Sequence, residues 1–292
     1  MKTIADLRVQ FSNELEHLFS ANELKLILKT SITKRFELTD TDYLLLRDLE
    51  IEAADRLYFE SIIGRLKKNE PFQYVIGSTE FYGLEMLCDG RALIPRPETE
   101  ELVDWIAQTV KGQNNLYIAD ICSGSGCIAL ALKSVNESFI IDALELSDEA
   151  LDLLEENISF TGLSVSQLKF DALSDQYISL EKEYAVVVSN PPYIPQEDEQ
   201  RMEQNVLSYE PHMALFVEDK DPFIFYERIA SNCIGLLEDN GWLFFEIHED
   251  FAPMISDVLE EQGFVNIELR KDLQGKERMI RGQKVLSRHE QK

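Results

Sequence analysis

The sequence predicts an α/β fold: a mostly parallel sheet covered by helices on both faces, preceded by a small helical bundle and a short hairpin connector. Three observations lead to it. From residue 116 onward, short apolar runs alternate with helix-period segments, the pattern of parallel strands joined by crossover helices. Before residue 70 the main apolar residues recur at three- and four-residue steps, and nothing reads as strand. Between these regions, residues 72–95 alternate aromatic and aliphatic side chains around Gly77, Gly83 and Gly90. The chain therefore divides into residues 1–71, 72–95 and 96–292.

Ile4, Leu7, Phe11, Leu15 and Leu18 form the first apolar face. Leu24, Ile27, Leu28 and Ile32 predict a second, short helix. Ala54, Leu57, Tyr58, Ser61, Ile62 and Leu66 predict a third, with Arg65 at the edge of its face. No strand is expected here, and the bundle reads either as a structural cap or as a partner-docking domain. A polar break, Lys67 to Pro71, precedes the hairpin, and Pro95-Arg96-Pro97 stops it. Pro97 suits the first turn of a helix. Glu98, Glu100 and Glu101 suit its positive end, and Leu102, Val103, Ile106 and Val110 supply its buried face. The alternation then runs as follows: strand 116–121, a helix containing IALALKSV, and strand 139–146. A helix follows, capped by Ser147, with Asp148 and Glu149 in its first turn, and closed by Gly162. Residues 166–172 and 184–189 are further strands, 222–239 a long helix and 241–248 a strand. Phe251, Met254, Ile255, Val258 and Leu259 mark another helix, ended by Gly263. Residues 264–271 and 278–284 finish as two strands antiparallel to each other.

The 292 residues are 45% hydrophobic, enough for a real core. No apolar run is long enough to cross a bilayer, and the opening MKTIADLRVQ lacks the apolar core of a signal peptide. A cytoplasmic protein without a membrane partner is expected. The net charge of −26 repels phosphate backbones and argues against direct nucleic-acid binding. It fits a basic partner or simple solubility equally well. Cys88, Cys122, Cys127 and Cys233 form no C-x-x-C pair and read as free thiols. His17, His212, His248 and His289 are scattered without metal-ligand spacing, so no metal is expected.

The first chemical signal is Asp120-Ile-Cys122-Ser123-Gly124-Ser125-Gly126, at the carboxyl end of the first strand, where open α/β sheets bind ligands. Glycines there let a ligand approach the backbone. Glu145 stands about twenty residues on, where a carboxylate can accept hydrogen bonds from both hydroxyls of a ribose. Together they point to an adenosine-containing cofactor. Gly124-x-Gly126-x-x-Ala129 also satisfies the dinucleotide fingerprint, so this motif alone leaves NAD open.

The second signal is Asn190-Pro191-Pro192-Tyr193, after a strand expected beside the first, so that it faces the same crevice. Two prolines fix the backbone and remove two N–H donors. The Asn190 side-chain oxygen and the Pro191 carbonyl can accept both hydrogens of a planar –NH2 group, and Tyr193 can pack on its flat face. Such a nitrogen is a poor nucleophile because its lone pair is delocalised. Holding both hydrogens turns the lone pair toward a methyl donor, so positioning and electrostatics carry the catalysis.

Here the sequence resembles the release factor glutamine methyltransferases. The resemblance covers almost the whole chain: residues 71–86, IPRPETE within 93–103, 120–132, 143–151, 188–195, YEPHMAL (209–215) and 271–282. It implies a Rossmann-like class I methyltransferase domain with a mostly parallel seven-stranded sheet in residues 96–292. It implies S-adenosylmethionine as cofactor, leaving S-adenosylhomocysteine. The implied substrate is the glutamine amide (N5) in the Gly-Gly-Gln motif of class 1 peptide chain release factors. Residues 1–71 would help grip the factor, and the protein would act as a monomer. By matched position, Cys122 to Gly126, with Asp120 at the head of the loop, would line the cofactor. Glu145 would hold its ribose, and Asp171 and Ala172 would flank its adenine. Asn190 to Tyr193 would bind the substrate amide, with Asn190 also bordering the cofactor. Asn190, Pro191 and Tyr193 are the residues expected to carry catalysis. One position departs from the family: the first glycine usual in its loop is Cys122 here. Ribosomal-protein glutamine methyltransferases share the core and are the nearest alternative. A DNA amino methyltransferase would need a basic cleft, and residues 190–215 hold no Lys/Arg cluster. A nucleoside-regulated binding protein would have no use for the Asn190 loop. A NAD oxidoreductase would need a proton relay that no residue pair supplies.

Overall fold

The computed structural model describes residues 3–46, 50–174, 177 and 182–285; His289 lies outside them. The chain forms two compact units, Met1–Gly77 with Glu203–Tyr209, and Ser78–Met202 with Glu210–Lys292.

In the first unit, α1 (Ile4–Leu15), α2 (Ala21–Phe36) and α3 (Asp40–Leu45) each begin with a capping box, from Thr3, Ser20 and Thr39. α3 is too short to reveal a period in sequence, and only its Thr39-x-x-Asp42 box announces it. α4 (Ala53–Leu66) and α5 (Phe72–Ile76) follow. Ile4, Leu7, Phe11, Ile32, Phe59, Ile62 and Leu66 form one buried cluster. Four residues expected on apolar faces, Leu18, Ala54, Leu57 and Ser61, are instead in solvent. Leu18 lies beyond the end of α1, and Leu57 is 69% exposed because α4 buries the bulkier face of Phe59, Ile62, Ile63 and Leu66. Arg65 finds polar work at the edge of that face. Its guanidinium pairs with Glu70 and donates to the carbonyls of Tyr74 and Val75.

The second unit opens with the hairpin β1 (Ser78–Phe81) and β2 (Leu84–Leu87). Phe81 and Met86 are buried in the main core, and the Leu87 N–H donates to Asn157. α6 (Pro97–Thr109), β3 (Tyr117–Ile121), α7 (Cys127–Val135), β4 (Ile140–Glu145), α8 (Asp148–Thr161), β5 (Ser166–Lys169) and β6 (Tyr184–Ser189) come next. After β7 (Ile194–Pro195) the chain supplies α9 (Gln204–Tyr209) to the first unit. It then continues through α10 (His212–Leu215), β8 (Phe216–Val217), α11 (Ile224–Leu236), β9 (Leu237–Glu246), α12 (Ala252–Glu261), β10 (Val265–Lys271) and β11 (Glu277–Gln283). The large sheet has the order β10-β11-β9-β6-β3-β4-β5. β11 is antiparallel to both its neighbours, and the other pairs are parallel. Side chains of α6, α7 and α8 cover one face, and those of α11 and α12 the other.

β9 begins four residues earlier than its apolar run. Leu237 pairs with Tyr184, and the register then shifts before Trp242 pairs with Val186. Residues 238–241 absorb the extra length, with Asn240 at φ 64° and Gly241 so close to the Glu238 and Tyr184 carbonyls that a Cβ would stand 3.0 Å from each. Such a bulge hides a strand start from a periodicity reading. On α12 the buried residues are Ala252, Ile255 and Leu259, and Met254 lies outside that stripe. No helix among the described residues is long and apolar enough to cross a membrane.

Candidate active site

β3 and β6 are parallel neighbours with Ile121 opposite Ser189, so the loops leaving their carboxyl ends start side by side. The Ser189 hydroxyl donates to the Ile121 carbonyl at 2.6 Å and ties the two ends together. The strand order reverses at this point, where an open α/β sheet offers its crevice.

The loop after β3 folds back into the start of α7. Gly126 caps that helix at φ 80°, and a Cβ there would lie 2.2 Å from the Leu154 side chain. Cys122 is also left-handed, at φ 61°, in the place where the family resemblance led us to expect glycine. Asp120 is fully buried beneath the loop. Its Oδ2 accepts from the Ala129 N–H at 3.1 Å, and its Oδ1 has no partner among the described residues. Burial pushes this carboxyl up to about 8, and the nearby charge of Glu145 adds to the effect. Glu145, at the end of β4, accepts from the N–H of Gly124 at 2.8 Å and from those of Leu146 and Ser147 at 2.8 and 2.9 Å. Its carboxylate clamps the glycine loop and still has acceptor capacity to spare.

The loop after β6 carries Asn190, whose side-chain amide has no hydrogen-bond partner among the described residues. Pro191 and Pro192 are buried. The Tyr193 hydroxyl lies 3.4 Å from Glu246 Oε1, and its ring meets His248 edge-on at 6.0 Å. Burial raises the Tyr193 phenol above its ordinary range, with Glu246 adding to the shift. Glu246 ends β9 and is 2% exposed. Its other oxygen accepts from the Thr99 hydroxyl at 2.6 Å, and burial raises this carboxyl too.

A cavity of about 310 Å³ lies entirely within the second unit, in the size range of small-molecule sites. Of the residues predicted from sequence, Cys122, Ser123, Gly124, Ser125, Glu145, Asp171, Ala172, Asn190 and Pro192 line it. Asp120, Gly126, Pro191 and Tyr193 stand outside the lining: Asp120 and Gly126 shape the loop from behind, and Tyr193 turns toward Glu246. Sequence reasoning gave no role to Phe170, Thr99, Arg96 or Phe225, which also line the cavity. Nor did it single out Glu210, 3% exposed, which accepts from Arg96 at 2.6 Å and from the Ile94 N–H at 3.2 Å and so pins the segment before α6. A signal for Glu246 was available: it is the one charged residue in the apolar run GWLFFEIH. No cluster of three or more metal-ligating side chains occurs among the described residues.

Comparison with known proteins fits this geometry. The family described as methyltransferase small domain matches residues 99–211. A release factor glutamine methyltransferase of Flavobacterium psychrophilum is 35% identical over 95% of this chain and 98% of its own. The chain belongs to the release factor glutamine methyltransferase family. A second member, from Streptococcus pneumoniae, is 36% identical over 92% of this chain and 95% of its own. Among solved structures, a methyltransferase of Pyrococcus furiosus superposes with a TM-score of 0.51 at 14% identity, over 70% of this chain and 90% of that one, a likeness of fold. Asp120, outside the cavity lining, ties the end of β3 to the first turn of α7 through the Ala129 N–H.

The raised Asp120 carboxyl has a consequence for stability. The folded state keeps its proton up to about 8, whereas the unfolded chain releases it near the ordinary 3.8. Stability therefore falls as pH rises through this window, by at most about 1.4 kcal/mol per pH unit for one group. Asp120→Asn keeps an acceptor for the Ala129 N–H and removes the titration. Urea unfolding from about pH 4 to pH 8 should show a flatter decline for the variant than for the wild type. Parallel curves would mean that Asp120 does not titrate in this range.

Proposed function

We propose that this protein transfers a methyl group from S-adenosylmethionine to the side-chain amide nitrogen of the glutamine in the Gly-Gly-Gln motif of class 1 peptide chain release factors. The observation that carries this reading is the unpaired side-chain amide of Asn190 at the edge of the cavity, beside the loop clamped by Glu145. Membership of the family supports the substrate.

The residues present fit the cofactor. Ser123 Oγ is buried in the cavity lining without a hydrogen-bond partner among the described residues, a polar group waiting for a ligand. Glu145 would accept from the ribose hydroxyls with its spare lone pairs. The apolar wall of Leu146, Phe170 and Ala172, with Asp171 at its rim, would take the adenine, and Ser123 to Ser125 would face the amino-acid end. When bound, S-adenosylmethionine supplies an electrophilic methyl group on a sulfonium. The chain's own task is to aim a nitrogen at it. Asn190 Oδ1 and the Pro191 carbonyl would accept the two amide hydrogens, turning the lone pair out of conjugation and toward the methyl group. Tyr193 would bound the far side of the amide plane. Because the prolines offer no N–H, nothing in this stretch competes for those acceptors.

The reading extends to a cytoplasmic monomer without a direct nucleic-acid or membrane partner. A net charge of −26 is consistent with that and with a basic protein substrate.

Labelled S-adenosylmethionine with purified release factor tests the proposal. Label should enter the native factor and be absent from one whose Gly-Gly-Gln glutamine is changed to alanine. Equal label on both factors would refute the target residue. No label on either, with cofactor binding intact, would refute the substrate. Asn190→Ala should lower kcat by about two to three orders of magnitude while calorimetric affinity for the cofactor persists. Near-normal turnover would remove Asn190 from its assigned role.

A further inference from the structure

Glu246 is a buried carboxylate that the reading above does not use. Burying such a group is unfavourable unless its oxygens find partners, and the two partners here are telling. Oε2 accepts from Thr99, a residue of the cavity wall, at 2.6 Å; Oε1 faces the hydroxyl of Tyr193, the last residue of the Asn190 loop, at 3.4 Å. The backbone carrying Glu246 is firmly held. Its residue pairs with Met279 on β11, its carbonyl accepts from the Tyr226 hydroxyl at 3.2 Å, and the next N–H donates to the Arg278 carbonyl at 2.9 Å. Phe245 lies opposite Ser189, so Glu246 stands one step beyond the residue that precedes Asn190.

We infer that Glu246 is a positioning residue for methyl transfer: it links Thr99 in the cavity wall to Tyr193 and so fixes the Asn190–Tyr193 loop at the distance from the cavity that the reaction needs. This rests on the function proposed above. The Tyr193 contact is at the outer limit of hydrogen bonding, and catalytic contacts of this length commonly shorten once substrate is bound. Arg278 supplies the neighbouring positive charge, itself held by Asp272 at 3.4 Å, so the carboxylate is partly balanced without either hydroxyl being displaced.

The test uses the full-length enzyme with release factor and labelled cofactor. Glu246→Leu keeps much of the volume, removes the buried charge and breaks both links. It should lower kcat about tenfold or more, while calorimetric affinity for the cofactor stays within about twofold. Glu246→Gln, which can pair with both hydroxyls, should restore most of kcat. Tyr193→Phe should cost much less in the Glu246→Leu background than in the wild type, because the two residues act through one contact. If Glu246→Leu does not fold, Thr99→Val serves instead, with Thr99→Ser as its rescue, and the same fall in kcat is expected. Wild-type kcat in Glu246→Leu or Thr99→Val, or a loss confined to cofactor affinity, or full additivity with Tyr193→Phe, would overturn the inference while leaving the proposed function standing. A wild-type enzyme that transfers no label to the release factor would overturn both.

Discussion

The parallel pairing of β3 with β6 is the constraint on which the site depends. It sets Ile121 against Ser189 and closes the contact with a side-chain hydrogen bond, so two loops distant in sequence leave the sheet from adjacent points. One supplies the glycine turn and the other supplies Asn190. β6 is buried on both faces and β3 from Ile118 to Ile121, so a slip of one residue would set every β6 side chain against the close packing of the opposite layer. The hydrophobic core thus enforces the alignment that the proposed chemistry needs. Glu145 adds the next level of control, since a single carboxylate gathers three backbone N–H groups and fixes the glycine loop against the end of β4.

Five carboxyls are buried among the described residues of the second unit, and their partners show how the fold treats charge. Asp272 accepts from the N–H groups of Gln274 and Lys276 at 2.9 Å each and pairs with Arg278 at 3.4 Å. Asp142 is held by Lys182 at 2.7 Å and by the Tyr184 hydroxyl at 2.8 Å, and Glu210 by Arg96 and a backbone N–H. Asp120 and Glu246 have no comparable ion pair in hydrogen-bonding contact, and burial raises both. The two less fully compensated carboxyls stand at the carboxyl ends of β3 and β9, on either side of β6. Elsewhere the fold satisfies its acids; next to the loops it tolerates incomplete satisfaction, the usual mark of a region shaped by something besides stability.

Much of this was legible in sequence because the relevant signals are local. Strand and helix alternation, the glycine turn, Glu145 at its fixed distance and the double proline each occupy a few consecutive residues. What escaped depends on contacts across the fold. Thr99 and Glu246 are separated by 147 positions and meet only when α6 packs beside the end of β9. Asp120 shares a motif with cavity residues, yet strand alternation turns it to the interior, so membership of the motif did not reveal its place. The start of β9 was hidden by a bulge, and α3 by its brevity. Leu57 misled because spacing alone cannot choose between two overlapping apolar faces of one helix.

Pro191 and Pro192 give the proposed substrate loop few torsions to lose on binding, since their φ angles are set by covalent rings. The proposed target is the opposite kind of chain: two glycines beside the glutamine leave it with the largest freedom a peptide can have. Ordering on encounter would then fall almost wholly on the incoming segment. A rigid mould and a pliant guest divide the labour unequally, and such a loop can take hold of a flexible tip without itself refolding at each turnover.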